Sequence, residues 1–361
     1  LDTAIEVDEY TVQINITRPY APFLQSLSTL QILNEKAVTE AGEEHGNHPI
    51  GTGPYKFVNY DLGQKVVFER FDDYHRGAPP IKNLVYRIIA DRNTALIALE
   101  SGDVDYISSI PGIAYESVKN NKDLELYEIQ TRKLSHIIMN MEKEPTSNLF
   151  VRKAFNHAID KDTIVQMAVE GLGQPAEYVL NVGTFGYSEN VTGYEYDAKK
   201  AKEYLEKAGY GNGFDVVIKT VEGFKKDAEI VQEQLGRIGV NATIELSDAS
   251  ALLEEMAQGN YQIAILSISL DADADYWSWV FQTDGMINNA CYSNPEVDEL
   301  YIAGQATTDE NERLKIYEEL YQIISDDAVI VPLYHQYQVS ASNAKLQIEG
   351  FDPFVNPYVY K

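Results

Sequence analysis

Alternation of apolar and polar positions predicts strands in the first third of the chain. Residues 10–16 read YTVQINI, in which every second side chain is apolar, as in a strand with one buried face. Residues 51–71 contain two such stretches joined at 61–63, Asp-Leu-Gly, which predicts a turn between two strands. Further strands are expected at 81–90 and 103–107.

Helical periodicity is prominent from about residue 140 onwards. In the stretch 197–209, Asp197 suits the N-cap, apolar side chains recur three and four residues apart, and Gly209 suits the end of a helix. A shorter helix is expected earlier, between Asp91 as its cap and Gly102 as its stop. Other amphipathic helices are expected at 147–159, 160–171, 294–306 and 308–325, the last with a capping box from Asp309 to Glu312.

Five consecutive segments predict a βαβαβ unit. Strands are expected at 214–221, 241–246 and 261–269, and helices at 225–239 and 248–259, the second capped by Asp248. Helical crossovers imply a parallel or mixed sheet, so the fold class is α/β. The last of these strands is too apolar to face water on either side. A Tyr-rich, strand-like tail follows from Val329, with breaks at Pro332, Gly350, Pro353 and Pro357.

Composition narrows the class of protein. A chain of 361 residues with 44% hydrophobic and 24% charged residues suits a globular protein of two domains. The net charge of −27 argues against nucleic acid as a partner, because phosphate binding requires clustered Lys and Arg. The single cysteine, Cys291, permits no internal disulfide. Without a Cys/His zinc pattern or a nucleophile motif, no metal, cofactor or catalytic residue is expected.

The stretch 269–283, SLDADADYWSWVFQT, concentrates the candidate chemistry. It begins like a calcium loop, but Tyr276 and Gln282 stand where an EF-hand requires Gly and Glu. Asp273 and Asp275 suit the positive end of a following helix. Asp271 follows a buried strand, where α/β sheets commonly bind ligands, so its carboxylate suits a ligand cation. The neighbouring tryptophans, Trp277 among them, are expected to wall an apolar pocket.

The order of motifs along the chain resembles one family. Residues 49–107 contain a GTGPY turn, then DDYHRGAPP and ALESGDVD. Residues 148–176 read NLFVRKAFNHAIDKDTIVQMAVEGLGQPA, and residues 194–216 read YEYDAKKAKEYLEKAGYGNGFDV. Together these stretches resemble the extracytoplasmic solute-binding proteins of the oligopeptide, dipeptide and nickel class of ABC importers.

The resemblance implies a two-lobed fold of the periplasmic-binding-protein type, with an extra small domain, that closes over its solute. Residues 1–46 would be the remnant of the extra domain, whose N-terminal part and secretion signal are missing. Residues 47–133 with 332–361 would form lobe one, and residues 134–331 lobe two. The protein would be a monomeric receptor, located in the periplasm or on the cell surface as a lipoprotein. It would not be an enzyme, and it would deliver short peptides to the membrane permease of an ABC importer.

The resemblance also nominates binding residues. In peptide-binding members an aspartate at the end of the last core strand of lobe two anchors the peptide's α-ammonium group, which points to Asp271 or Asp273. The loop after the GDVD element and two further segments are also expected to face the ligand. They nominate Tyr106, Ser108, Ser109, His136, Tyr334 and His335.

Three other functions remain open at this stage. The same scaffold could bind a non-peptide solute such as a metal chelate or an oligosaccharide, or it could sense a peptide signal rather than import it. A hydrolase that uses the aspartate cluster would instead lose turnover when Asp273 or Asp275 is replaced. Sequence cannot choose among solutes, because one scaffold hosts chemically different sites.

Overall fold

A computed structural model describes residues 2–28, 30–270, 272–346 and 348. Asp271, one of the two candidates for the ammonium anchor, lies outside the described residues. The predicted breaks at Gly350, Pro353 and Pro357 lie outside them as well. The predicted break at Pro332 is wrong, because one strand runs from Ile330 to Asn343.

The strands and helices are numbered in the order in which they occur along the chain. The strands are β1 Thr3–Asp8, β2 Thr11–Asn15, β3 Tyr55–Asp61, β4 Lys65–Arg70, β5 Asn83–Arg87, β6 Tyr106–Ile107, β7 Leu124–Met139, β8 Gly173–Pro175, β9 Phe214–Thr220, β10 Val240–Leu246, β11 Ile263–Ser269 and β12 Ile330–Asn343. The α-helices are α1 Phe23–Ser28, α2 Glu35–Ala41, α3 Arg92–Ser101, α4 Tyr115–Lys119, α5 Leu149–Ala158, α6 Lys161–Ala168, α7 Ala198–Lys207, α8 Lys225–Arg237, α9 Ala249–Ala257, α10 Ser278–Phe281, α11 Pro295–Ala306 and α12 Glu310–Asp326. Short 3₁₀ helices occupy Gly42–Asn47, Gly112–Ala114, Glu222–Phe224 and Ala274–Trp277.

Side-chain caps begin most of the helices that were predicted from a capping residue. The carboxylate of Asp91 accepts a hydrogen bond from Thr94 N at the start of α3, and Asp197 does the same for α7. Asp309 accepts from the N–H of Glu312 at the start of α12. Asp248 is the exception: within the described chain it holds the N-cap position of α9, but its side chain makes no capping hydrogen bond.

The chain divides into two compact units. The first contains residues 1–28 and 130–337, and the second contains residues 29–129 and 338–361. β7 and β12 each begin in one unit and end in the other. The lobes expected from the resemblance, with boundaries at 46, 133 and 331, stay a prediction.

The first unit is built on a sheet in which β10, β9, β11, β7 and β12 are successive neighbours. β9 lies between β10 and β11 and is parallel to both, so the predicted βαβαβ unit is confirmed. β7 runs antiparallel to β11. The two crossover helices cover opposite faces of the sheet, because α8 buries Val231 in one apolar cluster and α9 buries Leu252 in the other.

Both faces of the central strands are buried. In β11, Ile263 and Ile265 point into one cluster and Ala264 into the other. In β7, Ile137 belongs to the same cluster as Ile263, and Leu134 belongs to the same cluster as Ala264. A strand covered by helices on both sides has no water-facing side, which explains the nearly continuous apolar run of β11.

The second unit contains the antiparallel sheet β3-β4-β5 and the pairing of β6 with the last part of β12. Gly63 has a φ of 71° in the predicted turn between β3 and β4, a conformation that glycine adopts without strain. The rings of Phe57, Phe68 and Tyr86 meet edge to face across the three strands. Within the described ranges, no helix has the length and apolarity required to cross a membrane.

Candidate functional site

The candidate site lies at one edge of the first unit's sheet. The parallel strands β9, β10 and β11 end there at Thr220, Leu246 and Ser269. Lys133 of the antiparallel β7 lies beside Ser269 in the register of the sheet. α/β sheets bind ligands outside the carboxyl ends of their parallel strands, so the segment that follows β11 occupies the expected position.

The segment 272–275 is held by a loop from the middle of the chain. Phe185 N donates to the carbonyl oxygen of Ala272 at 2.7 Å, and Ala274 N donates to the carbonyl oxygen of Phe185 at 2.9 Å. The next residue, Gly186, has a φ of 96°, and a Cβ there would stand 2.5 Å from the Cβ of Ala274. Glycine therefore permits the close approach of the two backbones.

Asp273 combines a cap with a buried ion pair. Its carboxylate accepts from Asp275 N at 2.9 Å and so caps the 3₁₀ helix Ala274–Trp277, as the sequence predicted. Arg313 donates to both carboxylate oxygens, at 2.7 Å each, and its guanidinium also lies 4.6 Å from the centre of the Phe185 ring. Only 6% of Asp273 is exposed. Its carboxylate is thus enclosed by protein partners.

Asp275 is buried as well. It is 2% exposed, and the Tyr20 hydroxyl donates to its Oδ2 at 3.0 Å. Burial raises the pKa of the Asp275 carboxyl, while hydrogen bonds from Gln305 and Tyr20 act in the opposite direction. The side chain joins the segment 272–275 to the N-terminal residues and to α11, and presents little carboxylate surface to solvent.

The two tryptophans have different surroundings. Trp277 is 4% exposed, belongs to the apolar core and stacks on Phe281 with 5.5 Å between ring centres. Trp279 is 42% exposed and meets the ring of Tyr276 edge to face. Both tryptophans were expected to wall a pocket. Trp279 is accessible to solvent, whereas Trp277 is packed inside the first unit.

The predicted residues of β7 and β12 are buried in the first unit. His136, Tyr334 and His335 are 3–4% exposed. Burial lowers the pKa of both histidines to about 4, so both rings are neutral at pH 7. The Tyr334 hydroxyl donates to Asp227 at 2.9 Å. Asp227 was not predicted from the sequence. Its position in the first turn of a helix that follows a parallel strand is the signal that could have identified it.

The other predicted residues belong to the second unit. Tyr106 pairs with Ser342 between β6 and β12, and burial raises the pKa of its hydroxyl. Ser108 is exposed, and its carbonyl oxygen accepts from Gln338 Nε2 at 3.3 Å. Ser109 is half-buried. Among the residues that the structure describes, no group of three or more His, Cys, Asp or Glu side chains is arranged to hold a metal ion.

Comparison with known proteins gives matches that span most of the chain. Residues 1–289 match the family model of bacterial extracellular solute-binding proteins, family 5 Middle. The chain is 30% identical over 363 residues to the glutathione-binding protein GsiB of Pectobacterium atrosepticum, covering 96% of this chain and 70% of that protein. It is 29% identical over 357 residues to GsiB of Salmonella typhimurium, with 94% and 70% covered.

Solved structures agree with these sequence matches. The periplasmic binding protein DppA of Helicobacter pylori, in complex with the peptide STSA, superposes with a TM-score of 0.84 at 28% identity over 96% of this chain and 70% of that one. The oligopeptide-binding protein AppA of Bacillus subtilis, in complex with a nonapeptide, gives a TM-score of 0.83 at 25% identity, covering 100% of this chain and 77% of AppA.

The matches confirm both the resemblance and the predicted fold class. The strand order, the helices on both faces of the sheet and the matched span identify an α/β protein of the periplasmic-binding-protein type. The chain therefore belongs to the family 5 bacterial extracellular solute-binding proteins, the solute receptors of ABC importers.

Proposed function

We propose that this receptor binds short peptides, with glutathione-like tripeptides as the first class to test, and delivers them to the permease of its importer outside the cytoplasm. The proposal is supported by what the relatives are said to bind: glutathione for GsiB, the peptide STSA for DppA and a nonapeptide for AppA. All three ligands are peptides, although they differ in length.

The observation that carries the proposal is the fixed segment at the carboxyl end of β11. Arg313 and Phe185 hold this segment through Asp273, Ala272 and Ala274, immediately beyond the position of Asp271. A ligand group is bound most tightly when its partner is already held in place, because less conformational entropy is lost on binding. The geometry suits a single, well-positioned anchor.

The anchor in this proposal is Asp271, which receives the α-ammonium group of the peptide. Asp273 has a supporting role instead, because Arg313 already occupies both of its carboxylate oxygens. Ser108 is exposed and stays a predicted ligand contact, together with its neighbours Tyr106 and Ser109. The remaining predicted residues are buried and would act through the packing beneath the site: Trp277, His136, Tyr334 and His335.

The decisive experiment identifies the natural ligand. Full-length protein purified from its host is denatured, and the released small molecules are identified by mass spectrometry. We expect a short peptide. Calorimetry with that peptide, with reduced glutathione and with N-acetylated forms of both then tests the ammonium anchor, because acetylation removes the charge that the anchor would bind. A released sugar or metal chelate, together with no heat from any peptide, would overturn the proposal.

A further inference from the structure

The two strands that pass between the units are tied together just inside the first unit. Thr131 of β7 donates through its hydroxyl to the carbonyl oxygen of Gln336 in β12, at 2.7 Å. The same hydroxyl accepts from Lys133 N at 3.2 Å. Thr131 stands two residues from the point at which β7 leaves this unit, and Gln336 stands in the corresponding place on β12.

A buried amide holds Thr131 from the other side. Asn181 is 4% exposed, and its Nδ2 donates to the carbonyl oxygen of Thr131 at 3.0 Å. Its Oδ1 accepts from the Thr184 hydroxyl at 2.8 Å, so the orientation of the amide is fixed at both ends. A buried amide whose donor and acceptor are both satisfied favours one arrangement over its alternatives.

The loop that carries Asn181 also holds the candidate ligand segment. Thr184 is followed by Phe185, which exchanges two backbone hydrogen bonds with the segment 272–275, and by Gly186, which packs against Ala274. A continuous path of hydrogen bonds and backbone therefore leads from the segment beyond β11, through the loop 181–186, to β7, the strand on which the chain passes from the second unit into the first.

We propose that Asn181 is a positioning residue that couples occupation of the ligand segment to the crossing strand β7. The inference rests on the proposed function, because it requires a ligand at that segment. Bound ligand would restrain residues 272–274, and these would restrain the loop 181–186 through the backbone hydrogen bonds of Phe185. Asn181 would then keep Thr131 in the position that their hydrogen bond defines. Coupling of this kind is reciprocal, so loss of the amide would weaken both the ligand's effect on β7 and the affinity for ligand.

The test is hydrogen exchange of the backbone amides of residues 130–133 in the full-length protein, with and without saturating probe. The probes are reduced glutathione and trialanine. In the wild-type protein we expect bound probe to slow exchange at these amides. In Asn181→Ala the slowing should fall by about threefold to tenfold, the effect of one buried hydrogen bond, and affinity should fall in parallel. The matched control is Asn190→Ala, which removes an exposed amide bonded to Glu318 and should change neither quantity.

The outcomes separate the inference from the proposed function. If neither these probes nor a peptide released from the purified protein binds the wild-type protein, the proposed function fails and this inference fails with it. If Asn181→Ala binds probe and shows wild-type slowing, only the inference is overturned. The variant should fold, because β7 and β12 keep other ties, such as the hydrogen bond between the hydroxyls of Tyr127 and Ser342 at 3.2 Å. If it does not, Thr184→Val, which removes the hydroxyl that orients the amide, decides the matter: slowing equal to wild type overturns the inference.

Discussion

Arg313 donates one hydrogen bond to each carboxylate oxygen of Asp273, and both distances are 2.7 Å. Neither side chain is more than 8% exposed. The pair joins α12 to the segment that follows β11, and Arg313 also donates to the carbonyl oxygen of Gly304 in α11. One guanidinium therefore connects two helices and the candidate ligand segment.

Replacing Arg313 with Leu is expected to destabilise the protein by about 3–5 kcal/mol, because Asp273 would remain buried without its partner. Urea unfolding at pH 7 measures the change. The control is Arg237→Ala, which breaks an exposed pair with Glu233 and should alter stability by no more than about 0.5 kcal/mol. Equal changes in the free energy of unfolding would show that the buried pair contributes no more to stability than the exposed pair.

Two helical glycines are expected to respond in opposite directions to alanine. A Cβ at Gly304 in α11 would meet the ring of the buried Tyr317 at 2.9 Å, whereas a Cβ at Gly236 in α8 has nothing within 4 Å. Gly304→Ala should destabilise by about 1–3 kcal/mol through overpacking. Gly236→Ala should stabilise by up to about 1 kcal/mol, since glycine lowers helix propensity. Thermal unfolding of both variants checks the signs, and a stabilised Gly304→Ala would contradict the close contact.

Stability is expected to fall between pH 6.5 and pH 4 because of the buried histidines. The pKa of His136 is lowered from 6.5 to about 4 by burial, so the unfolded state binds a proton in this window and the folded state does not. Above pH 6.5 His136 is neutral in both states and the full stability of the folded protein is present. This stability is lost progressively as the pH falls from 6.5 towards 4. For His136 alone the loss between pH 7.5 and pH 5 is about 1–2 kcal/mol.

Urea unfolding of His136→Gln at both pH values measures that contribution, since glutamine takes up no proton. The pH-dependent loss of stability should be smaller in this variant than in the wild-type protein. His75→Gln removes an exposed histidine and should leave the loss unchanged. A wild-type pH dependence in His136→Gln would exclude His136 as its source.

Replacing Asp271 with Ala in the full-length protein is expected to weaken peptide affinity at least about tenfold. A charge-assisted hydrogen bond contributes roughly 1.5–3 kcal/mol, which corresponds to that factor or more. Isothermal titration with the released peptide measures the change. Asp284→Ala removes the same charge from an exposed position and should leave the affinity unaltered. Unchanged affinity in Asp271→Ala would move the anchor elsewhere.

Local signals in the sequence predicted elements of both units. The caps of α3, α7 and α12 depend on one side chain and a backbone N–H three residues later, so the pattern contains the information. The βαβαβ unit was also predicted from local patterns, because the periodicity of apolar residues distinguishes its strands from its helices. β7 was missed because it is half-exposed in its first part and buried on both faces in its second, so neither periodicity holds throughout its sixteen residues.

The candidate site was predicted only in part. The position of the acidic segment beyond β11 followed from the order of elements, but its partner Arg313 is 40 residues from Asp273 in the chain. No local pattern specifies such a pairing. The same holds for Trp277 and Trp279, which are two residues apart in the sequence. In the folded core Trp277 stacks on Phe281 and is buried, whereas Trp279 is exposed.

β7 and β12, as strands shared by the two units, also limit how this receptor can be engineered. A fusion or truncation made at residue 129 or 337 would sever a strand, so neither unit offers a clean end for an isolated module. The turn between β3 and β4 is a better place for a reporter domain, because Leu62 is 83% exposed there and the hairpin closes on either side of it. A biosensor for the solute should accordingly be built by insertion at Leu62, with both shared strands left intact.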